Sequence, residues 1–135
     1  MDKRILGKWV WVDGDRISDR ILEFIKTGDS IKFACYEKGN TFSHENLSLD
    51  IETENDGKSK SYFVTNFWSN KNGNKFFSFE AQFVDNQLPG TFIATSEWEI
   101  IDDDTLKQKH SGFCFDYKEE KWVNTGYEML LKRVE

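Results

Sequence analysis

The chain has 135 residues, the length of one domain with a core that needs no staples. Eighteen Lys and Arg against 24 Asp and Glu leave a net charge of −6, which argues against nucleic acid or an anionic membrane surface as the main partner. Side chains suited to a pleated, half-buried surface (Phe, Trp, Tyr, Val, Ile, Thr) number 44 against 13 Ala, Leu and Met, so a helical bundle or a doubly wound α/β fold is a poor fit.

Along the chain, alternating segments are separated by turn signals. Gly7-Lys8-Trp9 lies in the first segment, 5–12, and Asp13-Gly14-Asp15 closes it. Segment 17–26 is ambiguous. Ile17, Ile21 and Ile25 recur at helical spacing, while Leu22 and Phe24 alternate with Ile21, Glu23 and Ile25 as in a strand. A helix here would form a lid over one mouth of a barrel. The Thr27-Gly28-Asp29 turn favours a hairpin into 30–37, where Ile31, Phe33 and Cys35 share a face. Leu47, Leu49 and Ile51 share a face in 42–54, and Asn55-Asp56-Gly57-Lys58 leads into 59–70. After Asn72-Gly73-Asn74, segment 75–86 sets Phe77, Phe79, Ala81 and Phe83 against Ser78, Glu80 and Gln82. Leu88-Pro89-Gly90 is expected as a turn, where the only proline removes no ladder hydrogen bond. Segment 91–101 sets Phe92, Ala94, Ser96 and Trp98 against Thr95, Glu97 and Glu99. Turns at Asp102-Asp103-Asp104 and Lys118-Glu119-Glu120 bound the last two segments, 105–117 and 121–134.

Nine hairpin-linked strands predict an all-β fold in a single domain over 1–135. The expected architecture is an antiparallel up-and-down β-barrel of 8–10 strands, with at most one short helix. An open sheet of that size would leave two raw edges, and closure removes them. A two-sheet sandwich is the alternative, though its Greek-key links demand longer crossings.

Gly7-Lys8-Trp9 on the first strand and Arg133 on the last resemble the calycin superfamily, which covers lipocalins, fatty-acid-binding proteins and small bacterial lipocalin-like domains. Ser96-Glu97-Trp98-Glu99-Ile100, followed by Asp102-Asp103-Asp104-Thr105-Leu106-Lys107, looks like their penultimate hairpin. Tyr127-Glu128-Met129-Leu130-Leu131-Lys132-Arg133 looks like their closing strand. The resemblance implies a lipocalin-like barrel whose closed end is sealed by Gly7, Trp9 and Arg133, the guanidinium lying over the indole and bonding nearby carbonyls. It also implies a small hydrophobic ligand inside. The chain departs from parts of that superfamily. Fatty-acid-binding proteins hold a carboxylate with Arg-x-Tyr where this chain has Gly126-Tyr127-Glu128, and they insert two helices where the space before Ile31 holds at most one. The signal peptide and disulfide of extracellular lipocalins are not evident, and Trp9-Val10-Trp11-Val12 lacks the glycines of haem-binding relatives.

The aromatic side chains Phe33, Phe77, Phe79, Phe83, Phe92, Trp98, Phe113, Phe115 and Trp122 could line a cavity or simply fill it, since an eight-stranded barrel is just wide enough for either. The residues expected to line a ligand site are Trp11, Phe33, Phe79, Trp98 and Tyr127. Glu23, Asn66, Ser96, Gln108 and Asn124 are candidate inward polar groups, subject to a register that one slip reverses. His44 and His110 have no metal-ligand spacing, and Asp102-Asp103-Asp104 reads as a solvated turn, so neither metal nor cofactor is expected. On a strand His110 and Cys114 would stand ~13 Å apart unless Gly112 bends the chain, too far for a nucleophilic pair. Cys35 and Cys114 are expected as free thiols filling core space in a reducing compartment. No long apolar stretch follows Met1-Asp2-Lys3-Arg4, so a cytoplasmic location is expected, or a secreted or periplasmic one if a leader had been removed.

The functional expectation is non-catalytic binding of a small apolar molecule inside the barrel, without nucleic acid and without membrane insertion. The alternatives are a filled barrel acting as an interaction module, with outward aromatics such as Phe63, Phe67 or Phe76 and a homodimer left open, or a cofactor-free enzyme at the barrel mouth.

Overall fold

The computed structural model describes residues 2–38, 51–55, 59–84 and 87–134. One turn of 3-10 helix, Lys3–Ile5, precedes β1 (Gly7–Asp13), β2 (Arg16–Thr27), β3 (Ser30–Glu37), β4 (Ile51–Asn55), β5 (Ser59–Ser69), β6 (Lys75–Val84), β7 (Gln87–Asp102), β8 (Thr105–Asp116) and β9 (Lys121–Val134). The ambiguous segment is strand, not helix, so no lid forms from residues 17–26. Of the predicted segment 42–54 only β4 is described, and Leu47, Leu49 and His44 lie outside the described residues.

The strands form one antiparallel sheet in the order β3-β2-β1-β9-β8-β7-β6-β5-β4. It curls into a nearly closed barrel, which replaces the two-layer alternative. Pairing of β1 with β9 joins the chain's first strand to its last, so the raw edges fall at β3 and β4. Side chains bridge the seam beside β3: Phe33 and Phe67 on β5 have ring centroids 6.0 Å apart.

Hairpin chemistry sets these turns. Gly14 and Gly28 hold φ of 59° and 60°, a region other residues enter at a cost, in the turns after β1 and β2. Pro89 corrects the expected turn: it lies near the start of β7, and among the described residues neither neighbouring strand pairs with it. The edge of a ladder tolerates it there for the reason a turn would. Among the described residues no helix is long and apolar enough to cross a membrane.

The core occupies the closed end. Ile5, Trp9, Phe24, Phe76, Leu106 and Leu131 are almost wholly buried there, with Leu22, Phe67 and Trp98 against them. Phe24 meets Trp98 edge-on at 5.4 Å and Phe67 at 5.0 Å, so rings from opposite walls fill the axis. Phe67 and Phe76, expected among outward aromatics, are therefore core residues, stacked at 5.5 Å. The side chain of Phe63 lies outside the described residues.

The floor has the geometry that the terminal Trp and Arg imply. Trp9 and Arg133 are cross-strand partners, and the Arg133 guanidinium lies 4.2 Å from the indole centroid. Arg133 donates to the carbonyls of Leu6 (2.8 Å), Asp103 (2.9 Å) and Arg4, while the indole N–H donates to Ile5 (2.9 Å). Those carbonyls belong to the 3-10 turn, its exit at Leu6 and the turn between β7 and β8, where side-chain donors satisfy them. Gly7 takes φ of 116°, and a Cβ there would sit 3.0 Å from Arg133 Nη1.

Candidate ligand chamber in the upper barrel

Above the packed end lies a chamber of about 330 Å³. Trp11, Leu22, Phe33 and Cys35 line one wall, and Arg20 lies at its rim. Ser78, Glu80 and Gln82 of β6 line the other, with Phe92, Ser96 and Trp98 of β7. Gln108 and Tyr127 complete it. A second, outer cavity of about 540 Å³ shares Trp11, Arg20, Cys35 and Tyr127 and extends past Asp13, Arg16, Asp19 and Met129.

The sheet register explains why the barrel is filled below and hollow above. Cross-strand partners point to the same side of a sheet, so each row of partners lines one level of the interior. The lowest of three successive levels reads Phe76, Trp98, Gln108 and Met129 across β6 to β9. The next reads Phe67, Ser78, Ser96, His110 and Tyr127. The third reads Glu80, Ala94, Gly112 and Thr125. Ser78 and Ser96 of the second row and Glu80 of the third line the chamber, so part of its volume is space that larger side chains at the two serines would occupy.

A chain of hydrogen bonds orients its rings. The Trp11 indole N–H donates to Gln108 Oε1 at 2.7 Å, and Gln108 Nε2 donates to Ser96 Oγ at 2.9 Å. Ser96 Oγ lies 3.4 Å from His110 Nδ1, and the His110 ring stacks on Tyr127 at 4.5 Å and 9°. The Trp98 N–H donates to Ser78 Oγ at 2.8 Å. Both indoles are thus fixed by buried polar partners, as a preformed pocket requires.

Glu80 is different. Among the described residues no hydrogen bond or ion pair holds its carboxyl. Burial raises its pKa above the ordinary carboxyl value. Burial also raises the Cys35 thiol, an effect opposed by Arg20 and reinforced by Glu80. Tyr127 is raised by burial and then by Glu80, while burial lowers His110.

Of the five predicted lining residues, Trp11, Phe33, Trp98 and Tyr127 come together around the chamber. Phe79 does not. It pairs with exposed Thr95 and exposed Asn66 on the outer face, because Ser78, Glu80 and Gln82 are the inward set of β6. Phe77 is likewise outward, stacked on Trp68 at 6.1 Å. Phe113 pairs with Ile93, and both are about half exposed. Phe115 meets Trp122 edge-on on the same outer face, so these three are not lining residues either. The side chain of Phe83 lies outside the described residues.

Among the polar candidates Ser96 and Gln108 point inward and are buried. Glu23 points outward and accepts a bond from Tyr36 Oη at 2.7 Å. Asn66 and Asn124 are exposed. Cys35 and Cys114 are free, but neither fills the core: Cys35 opens onto both cavities and Cys114 is half-buried. The β8 ladder runs through Gly112 without a register shift, so no bend brings Cys114 to His110. Among the described residues no group of His, Cys, Asp and Glu could hold a metal ion. Asp102 and Asp103 act within their turn, accepting from the Asp104 N–H and from Arg4.

Sequence reasoning missed Glu80, Ser78, Arg20 and Cys35 as lining groups. No local pattern marks Ser78 and Glu80, because the inward face of β6 is set by cross-strand register with β7, Ser78 opposite Ser96 and Glu80 opposite Ala94. Comparison with protein-family models, with curated proteins and with solved structures finds no match.

Proposed function

We propose that the protein is a non-catalytic, calycin-like binder of a small, mainly apolar molecule held in the upper chamber. The observation that carries this reading is a preformed space of about 330 Å³ with its indoles locked by hydrogen bonds rather than collapsed into it. That volume is at the small end for ligand pockets and suits one ring system with a short chain. Apolar burial would supply the affinity at roughly 25 cal/mol per Å², and the inward polar groups would set orientation. The floor built by Trp9 and Arg133 supports the likeness to calycins, in which that end is sealed and the opposite end admits ligand. Free thiols at Cys35 and Cys114 fit a reducing, cytoplasmic compartment.

Native mass spectrometry of freshly purified protein tests the reading. A bound small molecule that is released on unfolding, or uptake of one equivalent from an apolar panel, is the expected result. Apo mass throughout, with no uptake, would overturn it.

A second reading rests on the outer face. Ile93, Phe113 and Trp122 are each about half exposed on neighbouring strands β7, β8 and β9. Exposed aromatics of this kind are enriched at interfaces, which favours pairing of two copies through this face.

A further inference from the structure

The surroundings of Glu80 narrow the chemistry of the ligand, an inference that rests on the chamber being a ligand site. Glu80 lines the chamber together with Trp11, Phe33, Trp98 and Tyr127, and among the described residues its carboxyl has no hydrogen-bond or ion-pair partner. Among the described lining residues the one cation is Arg20, which has no ion pair with Glu80 and also lines the outer cavity together with Asp13 and Asp19. Burial raises the Glu80 pKa, as it does for any carboxyl that leaves water without a cationic partner. An unpaired acid in a partly dry site is unfavourable until a donor or a cation reaches it. The rings around it, Trp11, Phe33, Trp98 and Tyr127, attract cations through their π faces and accept an apolar ring equally well. A carboxylate and aromatic walls in one small chamber therefore favour the same kind of guest.

We propose that the chamber takes a small aryl-alkyl amine as its ammonium ion, the nitrogen hydrogen-bonded to the Glu80 carboxylate and the ring set among Trp11, Phe33 and Trp98. Binding forms no covalent bond, and the ammonium supplies the donor that the resting chamber lacks. An anionic guest of the same size is disfavoured by the same carboxylate.

Calorimetric titration of the full chain with three probes of matched size tests this: 2-phenylethylamine, 2-phenylethanol and 3-phenylpropionate. The amine is expected to bind about tenfold or more tightly than the alcohol, because both can donate to the carboxylate but only the ammonium also pairs an opposite charge with it, and the propionate weakest. In Glu80→Gln the preference for the amine over the alcohol should vanish. Should that variant fail to fold, the ranking in the unaltered protein decides. An alcohol bound as tightly as the amine, or a propionate bound best, overturns the amine proposal and leaves the ligand chamber standing. No binding of any probe, with none from a wider apolar panel, overturns the chamber reading itself.

Discussion

Trp9 on β1 and Arg133 on β9 are direct cross-strand partners, and the guanidinium carbon lies 4.2 Å from the indole centroid. One side chain thereby seals the barrel floor in two ways, by stacking and by donating to the carbonyls of Arg4, Leu6 and Asp103. Arg133→Ala should lower stability by about 3 kcal/mol, the sum of a desolvated cation–π contact and several charge-assisted bonds, read as a lower urea midpoint. Arg133→Lys should recover less than half, since one ammonium cannot stack flat and reach all three carbonyls. Gly7→Ala should cost about 1–3 kcal/mol, because φ of 116° and the 3.0 Å approach to Arg133 both exclude a Cβ.

Tyr36 and Glu23 form a pair on the outer wall at 2.7 Å. Burial and the Glu23 carboxylate push the Tyr36 phenol from its ordinary value of 10 up to about 12. A raised folded pKa means that its stabilising contribution is complete below pH 10 and is lost as pH rises through about 12. Tyrosinate absorbance should show one phenol titrating late, and Glu23→Gln should bring it earlier. A Tyr36 titration unchanged in Glu23→Gln would contradict the assignment.

Glu80 titrates with the same sign in a lower pH range, but here the variant should gain stability. Its folded pKa is raised, so the protonated form suits the fold and the charged form is penalised. The penalty is absent below the ordinary carboxyl pKa and grows as pH rises through the folded value. Glu80→Gln should therefore raise the thermal midpoint at neutral pH, and the gain should disappear in acid. Such a gain would mark Glu80 as held for binding rather than for stability. A variant less stable than the parent at neutral pH would show that the carboxylate has a structural partner.

The outer aromatic face predicts an interface without a role in folding. Phe113→Ser combined with Trp122→Ser should change stability by about 0.5 kcal/mol or less per site, since both side chains are half exposed. Sedimentation velocity across a wide concentration range should show a dimer in the parent that the double variant loses. A monomer at every concentration would remove the interface reading.

Strand positions were legible because each turn carries its own chemistry, as Asp13-Gly14 and Thr27-Gly28 show. The face of β7 was legible too, since Ala94, Ser96 and Trp98 are buried and alternate with the exposed residues Thr95, Glu97 and Glu99. The face of β6 was not. Its more aromatic side points outward and its polar side inward, so hydrophobicity gave the reverse orientation at Phe79. The deciding contacts are non-local: Phe76 opposite Trp98 and Ser78 opposite Ser96. A register shift between Gln82 and Val84 breaks any count made back from the turn, and a one-residue slip reverses every side chain. Barrel closure was legible from residues near the two ends of the chain, whereas the lining of the chamber depends on cross-strand register.

Tryptophan emission offers the most direct test of the hollow upper barrel, because Trp11 and Trp98 both line it. Titration with a small apolar fluorescent probe should give a saturable change at one equivalent. The change should be lost in Cys35→Phe, which places a bulky side chain on the chamber wall. No change in the parent, or an equal one in the filled variant, would contradict a ligand chamber at this place.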